Sequence, residues 1–159
     1  MSTMQTKTNT FVTETTELHE VLNRQIAGWS VLYTKLHHFH WYVQGPHFFT
    51  LHAKFEELYN LATAHMDEAA ERLLAIGGRP VATMSEQLSL SPIEEAQGQF
   101  TAERMVEAVV ADLRIMVDVI NEGIQAAGEV DDKATEDMLI GFTAGLDKEL
   151  WMLNAFLGK

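Results

Sequence analysis

The sequence predicts an all-α chain folded as a four-helix bundle. Three observations carry that prediction. Four long segments place apolar residues at spacings of three and four, the segments are nearly equal in length, and the links between them run short, long, short. A segment of about 25 residues makes a helix roughly 40 Å long, and helices of matched length pack side by side.

The first segment, residues 16–43, carries Leu18, Leu22, Trp29, Leu32 and Leu36 on one stripe. Gly45-Pro46 ends it, since proline cannot continue the helical hydrogen-bond ladder. The second, residues 50–76, runs through Leu51, Phe55, Leu58, Ala62, Ala69 and Leu73 and stops at Gly77-Gly78-Arg79-Pro80, a glycine cap followed by proline. The third, residues 102–127, runs through Val106, Val109, Leu113, Met116 and Ile120 and closes at Gly128. The fourth, residues 132–157, runs through Leu139, Phe142, Leu146, Leu150 and Leu153.

The first and third links are a few residues long, which makes those helix pairs antiparallel hairpins. The middle link, residues 77–101, holds a short helical piece at 84–88 and the dipeptide Ser91-Pro92. It is long enough to cross the whole length of a bundle. Residues 1–13 are Thr-rich and polar and read as a flexible tail, leaving 14–159 as one domain.

Composition narrows the function. The 159 residues are 47% hydrophobic, enough for a sizeable core, yet no run approaches the ~18 apolar residues of a membrane span. The polar start lacks the basic and apolar regions of a signal peptide, so a cytoplasmic protein is expected. The absence of cysteine excludes disulfides and thiolate metal sites. With 23 acidic against 11 basic residues the net charge is −12, which opposes non-specific binding to nucleic acid and suits a protein that attracts cations. Of seven histidines, His37, His38, His40 and His47 fall close together.

On the second segment His52 and Glu56 form an i, i+4 pair, as do Asp67 and Glu71. Each pair can aim two ligand atoms at one ion. At 100° per residue all four fall within an arc of about 100°, roughly 135° from the apolar stripe, so they face out of their own bundle. His52 and Asp67 are ~22 Å apart along the axis and cannot share an ion within one chain. Two antiparallel copies related by a two-fold axis would bring His52-Glu56 of one beside Asp67-Glu71 of the other. Tyr59, Thr63, Ala70 and Leu74 lie on or beside the same arc, an apolar character suited to a subunit interface. The alternative for such pairs is an ordinary solvated helix face. Bundle-core di-iron sites use Glu-x-x-His, which this sequence lacks, so any metal binds elsewhere.

The stretch from His37 to Pro80 resembles the signature region of the Dps family, the miniferritins. The matching elements are His40-Trp41, Gly45-Pro46, Phe49, Leu51-His52, Phe55-Glu56, Asp67-Glu68 and Ala70-Glu71-Arg72. Asp137-Met138-Leu139, Asp147-Lys148 and Trp151-Met152-Leu153 resemble the family's last helix. The resemblance implies a ferritin-like bundle assembling into a hollow dodecameric shell. It implies a ferroxidase that oxidises Fe²⁺, with hydrogen peroxide as the usual oxidant, and stores ferric mineral inside. By the same resemblance His40, His52 and Glu56 come from one subunit and Asp67 and Glu71 from its two-fold partner. Some relatives have aspartate where Glu56 stands, which bears on the affinity for a second iron.

By its own residue pattern His40 falls about 40° from the first segment's apolar stripe, so a buried, hydrogen-bonded histidine is an equal alternative. Trp41 resembles the family tryptophan near the iron, where it either supplies an electron or packs. His37, His38, His47 and His65 have no assigned ligand role and read as surface or supporting positions, and His19 as ordinary surface. Carboxylates and imidazoles suit iron, and zinc or another divalent metal is a possible competitor. Glu129, Asp131, Asp132, Glu136 and Asp137 cluster at the start of the fourth segment. They either line an acidic three-fold pore, as in the family, or cap the helix and offset its dipole.

Two other functions compete. One is a nucleoid protein that coats and protects DNA, as some Dps proteins do. The members that bind DNA resemble one another in lysine-rich tails, whereas the first thirteen residues here hold only Lys7. Twelve copies at −12 give roughly −144 to oppose phosphate, which makes direct DNA binding an unfavourable reading unless metal ions bridge. The other is a non-catalytic helical interaction module, which predicts no iron-dependent absorbance.

Overall fold

The computed structural model describes residues 3–159, with side chains from residue 16 onward. Five helices follow in order: α1 Thr3–Tyr42, α2 Phe48–Ala75, α3 Met84–Leu90, α4 Ala102–Glu129 and α5 Lys133–Phe156. There is no strand among the described residues. The four long helices are those expected, and α3 is the short piece in the middle link. Helix α1 begins at Thr3, earlier than the expected start near residue 16. The side chains of the expected tail, residues 1–13, lie outside the described residues.

Links and caps follow from local chemistry. After α2 the backbone turns left-handed at Gly77 (φ +86°), and the Gly78 N–H donates back to the Leu73 carbonyl at 2.8 Å. That glycine-based closure satisfies carbonyls the helix end would leave unpaired. Helix α3 opens with a reciprocal cap between Thr83 and Glu86, and Thr101 caps α4 by accepting from the Arg104 N–H. Helix α4 runs through Gly128 to Glu129, and the turn to α5 is made two residues later by Asp131 at φ +57°. Aspartate tolerates that conformation better than most residues with a Cβ.

Helices α1 and α2 pack as one hairpin and α4 and α5 as the other, while α1 also packs on α4. Leu22, Trp29, Leu32 and Phe39 of α1 meet Phe55, Leu58 and Leu73 of α2, Met116 and Ile120 of α4, and Leu139 and Leu146 of α5 in one buried core. The crossover is pinned by a buried pair: Lys35 Nζ lies 2.8 Å from Asp112 Oδ2 and donates to the Glu94 carbonyl at 3.0 Å. One side chain therefore joins α1, α4 and the crossing link. No helix among the described residues is long and apolar enough to cross a membrane.

Candidate metal centre

The tight α1–α2 turn sets the hairpin register, and the register places His40 opposite His52. Their rings stack with centroids 3.6 Å apart and planes 14° from parallel. His40 Nδ1 lies 2.7 Å from the His52 carbonyl oxygen, and His52 Nδ1 lies 2.8 Å from the His40 carbonyl oxygen. A carbonyl only accepts, so each Nδ1 carries the proton and donates. Each Nε2 is left with its lone pair, the form in which imidazole binds a metal. Metal-binding histidines almost always have their second nitrogen held in this way. His40 is 9% exposed, so the buried, hydrogen-bonded state and a free Nε2 are compatible.

Glu56 stands one turn beyond His52 and is exposed. Desolvation, followed by the Glu56 charge, pushes the neighbouring Tyr59 phenol above its usual range. Asp67 and Glu71 are also exposed on α2, clear of its buried stripe. The structure thus brings His40 and His52 together, with Glu56 one turn further along α2 and Asp67 and Glu71 further still down the same helix. Among the described residues of the single chain, no three His, Asp or Glu side chains gather closely enough to hold a metal ion. Leu74 on the same outward side is 60% exposed.

Trp41 is 68% exposed, so it is not packed in its own bundle; its ring lies 5.3 Å from that of His37. The acidic cluster divides. Asp132 is the N-cap of α5, accepting from the Thr135 N–H at 3.0 Å, and it also receives Arg72. Glu136 pairs with Lys133 at 3.0 Å. Glu129, Asp131 and Asp137 are exposed.

Two histidines differ from the sequence reading. His65 is half-buried, with its ring 3.9 Å from Phe142 and 5.1 Å from Trp29 and both nitrogens shielded from solvent and unpartnered. Desolvation pushes its pKa down to about 4. His19 is half-buried, with Nε2 shielded from solvent. Sequence reasoning also passed over Arg72, which joins α2 to α5, and left His37 without a part.

A family model described as a ferritin-like domain matches residues 19–159. The DNA protection during starvation protein 2 of Bacillus anthracis is 56% identical over 140 residues, covering 88% of this chain and 96% of that one. The chain belongs to the Dps family. The Dps crystal structure from Bacillus brevis superposes with a TM-score of 0.89 at 50% identity, covering 91% of this chain and 97% of that one. A Dps structure from Vibrio cholerae, described as a member of a broad superfamily of ferritin-like diiron-carboxylate proteins, gives 0.87 at 32% identity and covers 91% of each chain. The ferritin-like fold accounts for the long α2–α4 crossover.

Proposed function

We propose that this chain is one subunit of a hollow dodecamer that oxidises Fe²⁺ and stores the ferric product, with its site built across the two-fold interface. His40, His52 and Glu56 of one subunit face Asp67 and Glu71 of the other. The carrying observation is the reciprocal His40–His52 pair, which presents two Nε2 lone pairs one helical turn from an exposed carboxylate, without enough partners in its own chain to close a site. The 3.6 Å ring spacing matches the ~3.5–4 Å between ions in two-metal sites, so each imidazole can serve its own iron.

Iron is the substrate here. Two Fe²⁺ ions each give one electron to hydrogen peroxide, which takes up two protons and leaves as two waters. Paired electrons avoid the hydroxyl radical that a single-electron step releases. Carboxylates from the partner suit the harder Fe³⁺ product. Glu129 and Asp137 remain available to draw cations toward a three-fold pore, while Asp131, Asp132 and Glu136 are engaged within the chain. The DNA-coating alternative is opposed by the charge of −12 per subunit.

The test is anaerobic Fe²⁺ addition to the assembled protein, followed by peroxide, with ferric absorbance and peroxide consumption recorded together. One peroxide consumed per two irons supports the reading. No rapid absorbance change, or light scattering that shows only monomer, removes it.

A further inference from the structure

A site shared across a two-fold axis fixes the register of the two α2 helices. Setting His52 against the partner's Glu71 and Glu56 against the partner's Asp67 puts the axis across α2 midway between Leu61 and Ala62. Every residue then faces the one equally far beyond that point on the other subunit. Phe49 lies as far before the point as Leu74 lies after it.

Phe49 and Leu74 are the large apolar side chains that α2 leaves exposed, at 85% and 60%. At 100° per residue from His52, Phe49 falls at about 60° and Leu74 at about 40°, inside the arc that holds Glu56, Asp67 and Glu71. Either alone is ordinary on a protein surface. The pair is not, because the register that joins the ligands also joins these two, once on each side of the axis.

Distance and charge agree with that contact. Each shared site lies about 11 Å from the axis along α2, and both helices reach one ion there only at a shallow crossing, near ~20°. About 8 Å further out, at Phe49 and the partner's Leu74, the helix axes are then roughly 11 Å apart, a gap these side chains fill. The metal-free contact also needs an apolar hold. Glu56 faces the partner's Asp67, and two carboxylates repel until a cation lies between them.

We propose that Phe49 and the partner's Leu74 form an apolar clasp at each end of the two-fold contact, which holds the pair in register before any cation binds. The proposal rests on the shared-site reading above and adds the residues that keep its two halves together. Phe49 stands one turn before His52 and Leu74 one turn after Glu71, so the clasp flanks each site on its His52–Glu71 side.

The chain has no cysteine, so introduced thiols report this contact alone. Both positions are exposed, which leaves the subunit core untouched, and they are about 37 Å apart along one helix, beyond the reach of a short bis-maleimide. Assembled metal-free shells carrying Phe49→Cys with Leu74→Cys are treated with that reagent and separated under denaturing conditions. Covalent dimers are expected as the main species, and neither single variant should give them. Phe49→Cys with Thr63→Cys, about three turns out of register, should give none either. Leu74→Ala should raise at least tenfold the protein concentration below which metal-free shells dissociate. Monomers alone from the first double variant, where parent shells oxidise Fe²⁺ rapidly, overturn the clasp and leave the shared site standing. Dimers formed through Thr63→Cys instead move the register and overturn both. A Leu74→Ala shell that dissociates at the parental concentration shows that the contact holds nothing, and overturns the proposal.

Discussion

Arg72 reaches from α2 to the start of α5, where Nη2 donates to Asp132 Oδ1 and Nε donates to Thr135 Oγ1, each at 2.8 Å. Burial alone would raise the Asp132 carboxyl, but the Thr135 and Arg72 hydrogen bonds outweigh it and hold the group below the ordinary carboxylate range. The guanidinium follows Glu71 directly in sequence. The end of α2 that carries Asp67 and Glu71 is therefore clamped to the acidic turn between α4 and α5.

Breaking that clamp should cost stability more than activity. Arg72→Ala is expected to destabilise the subunit by about 1–2 kcal/mol, the range for a partly exposed charged hydrogen-bond pair. Arg72→Lys should recover only part, since an ammonium lacks the planar fork that reaches both oxygens. Denaturant midpoints of the three proteins provide the measurement. Equal midpoints would mean the clamp contributes nothing to stability.

A second prediction concerns the Lys35–Asp112 pair, whose side chains are 8% and 9% exposed. Asp112→Ala leaves a buried ammonium uncompensated and should cost about 3–5 kcal/mol. The double change Lys35→Met with Asp112→Leu removes both charges and should return most of that loss. Urea unfolding of the single and double variants decides it; a double variant as unstable as the single one would show that packing, not charge, is at stake.

The helices were legible because their apolar spacing and glycine or proline stops are local signals. The outward placement of Glu56, Asp67 and Glu71 was legible too, since helical angles alone separate them from the Leu51–Leu73 stripe. The reciprocal His40–His52 bonds were not, because they depend on the register of one helix against another, and periodicity along a single helix carries no such information. His65 was misread for a related reason: its burial depends on the space beside Trp29 and Phe142, from two other helices. Asp132 shows the opposite case, with its capping role signalled by its position just before α5 and only its bond to Arg72 hidden until the fold was known.

His65 gives a pH prediction. Its folded pKa of about 4 lies below the ordinary value of 6.5, so the unfolded chain binds the proton more tightly. The stability it contributes is complete above about pH 6.5 and falls as pH drops toward 4. Replacing it by Phe should flatten the loss of unfolding stability between pH 6.5 and 5, relative to the parent. Parallel curves over that interval would contradict a buried neutral imidazole.

The last prediction tests where the ligands come from. His52→Ala and Asp67→Ala shells should each be nearly inactive, since every site in either homomeric shell lacks one ligand. When the two variants are unfolded together and reassembled, a mixed two-fold pair contains one site with both defects. Its other site draws an intact His52 from one subunit and an intact Asp67 from the other. Random pairing makes about half the pairs mixed, with one complete site of two, so about a quarter of the parental fast oxidation should return by counting on an isologous interface. Ligands drawn from one chain would restore nothing, because every chain in the mixture carries a defect. Mixed shells verified by mass spectrometry that remain inactive would therefore exclude a site shared between subunits.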